Sequence, residues 1–227
     1  MSTDVLPPEY AERLIRDRRA VRAFRPDPVP DAVMRAVFSL AGAAPSNSNT
    51  QPWSVEVVSG AARDALSKAL LAAHARGAPS TDFPYSAGLY TSVHAARRQA
   101  FGTTLYGALG IARDDHAARD AYQLDSLRFY GAPHVALLFL PSNGEARMAA
   151  DLGMYGQTLL LALSAYGIAS CPQGLLSFYA DTVREQLGVR DRKLLFGVSF
   201  GYQDPDVPGS AVLTGRASLE ETTRFWT

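Results

Sequence analysis

Apolar and polar positions recur along this chain with periods that mark its elements. Tyr10–Asp17 predicts a short helix, and Ala20–Phe24 an extended segment stopped by Pro26, Pro28 and Pro30. Asp31 is placed to cap a helix through Ala43, with Val33, Val37, Leu40 and Ala41 on one face. Trp53–Ser59 alternates in part and predicts a strand. Ala61–Ala75 predicts a helix, Gly77–Ser86 a loop and Ala87–Phe101 another helix, whereas residues 102–131 show no legible period. Pro133–Leu140, PHVALLFL, predicts a buried strand ended by Pro141 and the Asn143-Gly144 turn. Asp151 is placed to cap DLGMYGQTLLLALSAYG, which is apolar nearly all round and so belongs in the centre or at a subunit interface. Gly167 ends that helix. Thr182–Leu187 predicts a short helix ended by Gly188, and Lys193–Tyr202 a second buried strand. Short connections between alternating helices and strands imply one domain over residues 1–227, a mixed sheet covered on both faces.

Composition narrows the function. The 227 residues are 47% apolar and 19% charged, a balance that can fold. The net charge is zero, which argues against a general nucleic-acid binder and makes any anion site local. Cys171 is the only cysteine, so no intrachain disulfide can form, and a reducing, cytoplasmic setting is expected. Residues 1–14 carry no apolar segment of a secretion signal, and the longest apolar run, near Leu159–Tyr166, is too short to span a bilayer.

Several motifs fail on context. GVSFG, Gly197–Gly201, matches a nucleophile elbow, but that device needs a strand, a sharp turn and a helix, and here it lies inside an apolar strand. Ser199 is therefore read as a strand residue. His74, His94, His116 and His134 have no acidic partner at ligand spacing, so no metal site is expected. His74 and His116 read as surface residues and His134 as structural.

Two segments survive. In RRAVRAFR, Arg18–Arg25, alternation sets Arg18, Ala20 and Arg22 on one side and Arg19, Val21 and Ala23 on the other. This is either a solvated basic face or a phosphate clamp built from charge-assisted contacts of about 1.5–3 kcal/mol each. In PSNSNTQPW, Pro45–Trp53, amide side chains both donate and accept, so the loop either reads a polar ring system or satisfies its own backbone.

Together with three further segments these carry a family resemblance. RRAVRAF, APSNSNTQPW, DLGMYGQTLLLALSAYGIASCPQG, KLLFGVSFGY and GRASLEE occur in the order of the FMN-dependent nitroreductase family. The chain is similar to that family from about Tyr10 to Phe225, and within it to the nitrobenzoate-reductase-like branch. The resemblance implies an α+β fold: a three-layer α-β-α sandwich with a mixed, mainly antiparallel central sheet, built as an intertwined homodimer with FMN at the interface. It assigns Arg18, Arg19, Ala20 and Arg22 to the phosphate and ribityl end, with Ala20 standing where the family has a serine. Arg216 would join them late in the chain. Pro45, Ser46, Asn47 and Asn49 belong to the loop that reaches the partner's flavin, Asn49 and Gln51 also bracing it. The turn at Pro172, Gln173 and Gly174 would place backbone N–H groups near flavin N5, Pro172 itself having none to offer.

The implied activity is hydride transfer from a transient NAD(P)H through the flavin to a small-molecule electron acceptor, a nitroaromatic, quinone or similar electrophile, by a ping-pong route. No catalytic side chain is singled out. Where the branch carries basic groups before the late Gly-Arg, this chain has SAVL, Ser210–Leu213, and Tyr122–Arg128 reads YQLDSLR. These departures leave open a flavin-dependent dehydrogenase or reductase of a specialised metabolite. A non-catalytic flavin binder and a hydrolase using Ser199 are the other readings. Tyr85, Tyr90, Phe101, Tyr106 and Tyr130 line a pocket or fill the core, the core being expected.

Overall fold

The computed structural model describes residues 7–227; the first six residues, part of the reading of 1–14, lie outside it. Its helices are α1 (Pro8–Asp17), α2 (Asp31–Ala41), α3 (Gly60–Ala75), α4 (Ser92–Ala108), α5 (His116–Leu127), α6 (Ala146–Ala165), α7 (Ala180–Leu187) and α8 (Leu219–Thr222). Its strands are β1 (Ser54–Ser59), β2 (His134–Pro141), β3 (Ala169–Gln173) and β4 (Arg192–Gly201), in the spatial order β1-β2-β4-β3. All three pairings are antiparallel. Among the described residues, parallel pairing is confined to the isolated bridges Ala20↔Ser170 and Ser80↔Tyr179.

β2 is apolar without alternation because both sheet faces are covered. Val135, Leu137 and Phe139 enter one core with Leu66 and Leu70 of α3, Leu127 of α5 and Val183 of α7. Ala136, Leu138 and Leu140 enter the other with Val37 and Ala41 of α2 and Leu152, Leu159 and Leu163 of α6. Each fully buried leucine contributes about 1.5–3 kcal/mol. A bulge shifts the β2–β4 register between Leu138 and Phe139, which face Phe196 and Leu194.

Four expectations need correction. Asp31 does not cap α2; Pro30 holds that position, and the Asp31 carboxylate instead accepts from Arg35 Nε at 2.6 Å, one turn on. The helix expected over Ala87–Phe101 is one 3₁₀ turn at Ala87–Leu89, followed by α4. Asp151 does not cap α6, which starts at Ala146, so Asp151 falls in the second turn. The five aromatic residues expected in the core are not buried: Tyr85, Tyr90 and Phe101 are exposed, Tyr106 and Tyr130 half-buried. Tyr85, Tyr90, Phe101 and Tyr106 belong to the excursion around α4, where Leu105 is the one buried residue of the helix, whereas Tyr130, in the turn before β2, does pack against the first core as expected. His134 is structural: its Nε2 accepts from Val29 N–H at 2.9 Å, which leaves the Nδ1 hydrogen for Ser59 Oγ at 2.5 Å.

Candidate functional site

Residues 18–24 lie between β3 and the segment after β4. Val21 N–H donates to Ser170 O at 2.9 Å and Arg22 N–H to Ser210 O at 2.7 Å, and Val21 bridges Ala211. This pairing carries the chain on to Arg216 beside Arg18, nearly 200 residues apart in sequence. Arg16, Arg18, Arg19, Ala20, Arg22 and Arg216 line one groove of about 400 Å³, with Phe101, Val212 and Leu213 among its walls. The alternation expected for the segment does not hold at Arg19. Isolated bridges at Ala20, Val21 and Phe24 do not make a regular strand, and Arg19 folds back to donate to Arg18 O at 3.0 Å and to Arg16 O.

No carboxylate pairs with Arg16, Arg18, Arg19, Arg22 or Arg216 among the described residues. Asp17, the nearest acid in sequence, faces Arg13 at 3.5 Å. Arg22 donates to Ala20 O at 3.2 Å and stacks over Phe101 at 5.4 Å, and Arg216 donates to Thr214 and Gly215 carbonyls at 3.0 Å. Burial first, then Arg216 and Arg19, hold the Arg18 guanidinium below its ordinary value. Such a set of like charges is incomplete without a polyanion.

A larger cavity of about 650 Å³ shares Arg22 with the groove and is lined also by Arg63, Lys68, Arg128 and Tyr130. Two of its four cations are neutralised, Arg63 by Asp64 at 2.8 Å and Arg128 by Asp125 at 3.1 Å, whereas, among the described residues, none in the groove is. Charge, rather than volume, therefore makes the smaller groove the stronger candidate for an anion. Beneath Arg18 and Arg22, burial pushes the Cys171 thiol up to about 11, which leaves it protonated and a poor nucleophile.

Pro172, Gln173 and Gly174 continue along β3 from Ser170, within roughly 13 Å of it at strand rise, on the sheet's edge. The Gln173 side chain is fully engaged. Its Nε2 donates to Ser126 O at 2.8 Å and Ser126 Oγ at 2.9 Å, and its Oε1 accepts from Ser199 Oγ. Gln173 can thus offer a ligand only its main chain. The same bond retires the hydrolase reading, because Ser199 is fully buried in β4. Pro172 and Gly174 are exposed, and a Cβ on Gly174 would meet nothing within 4 Å.

Pro45, Ser46, Asn47 and Asn49 do not join the groove; they sit against α6, on the sheet's other face. The loop is bonded to itself: Gln51 N–H donates to Ser46 Oγ at 2.9 Å, and Gln51 Nε2 to Asn49 O at 3.1 Å and Oδ1 at 3.2 Å. The bracing expected of Asn49 and Gln51 is present. Sequence reasoning missed Arg16 of the groove and the role of Asp151 behind the loop, whose Oδ1 accepts Asn47 N–H at 3.0 Å; Phe101, named as a pocket or core residue, lines the groove. It located the SAVL departure without its consequence, that apolar Val212 and Leu213 form part of the groove.

Comparison with known proteins agrees with this geometry. A sequence profile of the nitroreductase family matches residues 15–202. Nitroreductase NfnB of Mycolicibacterium smegmatis is 65% identical over 217 residues, covering 96% of this chain and 93% of that protein. A 4-nitrobenzoate reductase of a Nocardioides species is 32% identical over 96% of this chain and 90% of its own length. The crystal structure of FMN-dependent nitroreductase NfnB from Mycobacterium smegmatis in complex with NADPH superposes with a TM-score of 0.95 at 63% identity, covering 97% of this chain and 99% of that one.

Proposed function

The chain belongs to the nitroreductase family, and from that premise we propose that it is an FMN-dependent oxidoreductase reducing nitroaromatic compounds with NADPH. The observation that carries this reading is the groove of guanidiniums without a carboxylate partner. A phosphate monoester is a dianion near neutral pH and presents three acceptor oxygens, which suits Arg18, Arg19, Arg22 and Arg216. Bound FMN supplies the redox chemistry, accepting hydride from the nicotinamide and passing electrons to the acceptor. The protein's residues bind and orient. The four arginines neutralise the phosphate, Ala20 leaves room without adding a hydroxyl, and Phe101 holds Arg22 in place. Main-chain groups of the turn at Pro172, Gln173 and Gly174, whose first and last residues are exposed at the edge of β3, would steady the ring system.

A homodimer completes the site in this reading. Met154 and Tyr166 of and beside α6, Leu40 of α2, and Phe225 and Trp226 of the tail are large exposed apolar residues that a second copy would cover. The Pro45–Asn49 loop would then reach the partner's cofactor. The chain is read as one domain over residues 1–227 working in the cytoplasm, with its single cysteine reduced; no helix among the described residues is long and apolar enough to cross a membrane. The test is the visible spectrum of the purified protein, then NADPH oxidation with a nitroarene. A yellow protein that consumes NADPH with the nitroarene is expected. Flavin that NADPH does not bleach would leave only a binding role.

A further inference from the structure

The geometry points to Asp151 as a positioning residue for the cofactor site: its buried carboxylate fixes the Pro45–Asn49 loop in the shape presented to the partner's flavin, an inference that rests on the reading above. Two residues one turn apart on α6 hold the two ends of the loop. Asp151 Oδ1 accepts Asn47 N–H at 3.0 Å, and the Tyr155 ring packs on Trp53 with centroids 5.1 Å apart. Asp151 is 3% exposed, a costly position for a carboxylate unless it is hydrogen-bonded. Its partner is 104 positions away, so the residue serves the tertiary arrangement and not the helix that carries it.

The loop has reason to need an anchor. Ser48, Asn49 and Gln51 take φ of 51°, 56° and 46°, left-handed conformations that non-glycine residues adopt at a cost. The bonds among Ser46, Asn49 and Gln51 keep the turn closed. They do not orient it on the protein body, because both ends of each bond move together. The Asn47–Asp151 bond ties the turn to a long helix, at one of the candidate contact residues.

The test measures FMN affinity of the apoprotein by flavin fluorescence, alongside apoprotein Tm. Asp151→Ala is expected to weaken FMN binding roughly tenfold or more, as loss of a charge-assisted bond would. Asp151→Asn is expected to stay within about threefold of wild type, because its amide oxygen still accepts the Asn47 N–H. Val183→Ala, which opens the other core, is expected to lower Tm and leave FMN affinity unchanged. If Asp151→Ala does not fold, Asp151→Ser is titrated in its place with the same outcomes. Unchanged affinity in the alanine variant would overturn the proposal, as would equal weakening in Asp151→Asn or in Val183→Ala. A wild-type protein that does not bind FMN would instead defeat the functional reading itself, and slow hydrogen exchange at Asn47 in wild type but not in Asp151→Ala would still locate the anchor.

Discussion

The arginine groove and the amide loop are opposite in kind. The groove is charged and, among the described residues, without carboxylates: its guanidiniums reach local carbonyls, the Thr214 hydroxyl and the Phe101 ring, and repel one another. The loop is neutral and complete, closed by Ser46, Asn49 and Gln51 and tied to α6 through Asp151. A region of unpaired like charge favours an anion. A region already satisfied works by keeping its shape. Removing a groove residue should therefore harm binding while sparing the apoprotein, and removing a loop residue should harm the apoprotein directly.

The largest effect is expected in the groove. Arg22→Ala should weaken FMN binding by about 10- to 100-fold, since one charge-assisted contact is worth about 1.5–3 kcal/mol, while apoprotein Tm and dimer mass hold; equilibrium dialysis with absorbance and light scattering would show it. Arg18→Gln should weaken FMN in the same direction and leave the apoprotein at least as stable, because it relieves repulsion from Arg216 and Arg19. A fall in apoprotein Tm would erase the contrast. Next, Gly174→Val should cut NADPH-dependent turnover about tenfold by crowding the ligand face. It should hardly change Tm, since the position has free space in the protein.

Smaller effects test the loop and the core. Gln51→Ala removes two side-chain donations and should cost about 1 kcal/mol, or roughly 2–4 °C in Tm by calorimetry. Last is His134. Burial lowers its pKa, so folding favours the neutral ring that accepts from Val29. Its contribution is complete above the unfolded value near 6.5 and is lost as pH falls through the lower folded value. His134→Gln should flatten the decline of Tm below pH 6.5.

The same contrast explains what was legible in the sequence. β2 and β4 could be read because both their faces are buried, which writes a continuous apolar run. β3 was missed because ASCPQ is five residues long and carries a proline, tolerated there because the strand lies at the sheet's edge. The start of α6 was misplaced because Asp151, an acid before an apolar run, looks like a helix cap; the true N-cap, Glu145, makes no side-chain bond. The C-terminal part of α4, past Phe101, hid behind Gly102 and Gly107 and a weak apolar stripe. Of the site, Arg18, Arg22 and Arg216 were legible through family motifs. Their convergence was expected only through the resemblance; what the residues themselves do not show is the pairing of Arg22 with Ser210 that brings Arg216 there. Phe101 carries no motif at all and joins the groove only through the fold.

The central claim is that guanidiniums from both ends of the chain grip a phosphate monoester. Titrating the apoprotein with FMN and with riboflavin, identical but for that phosphate, tests it most directly. Binding of FMN at least 100-fold tighter, narrowing as salt is added, is the expected result; equal affinities for the two flavins would contradict it.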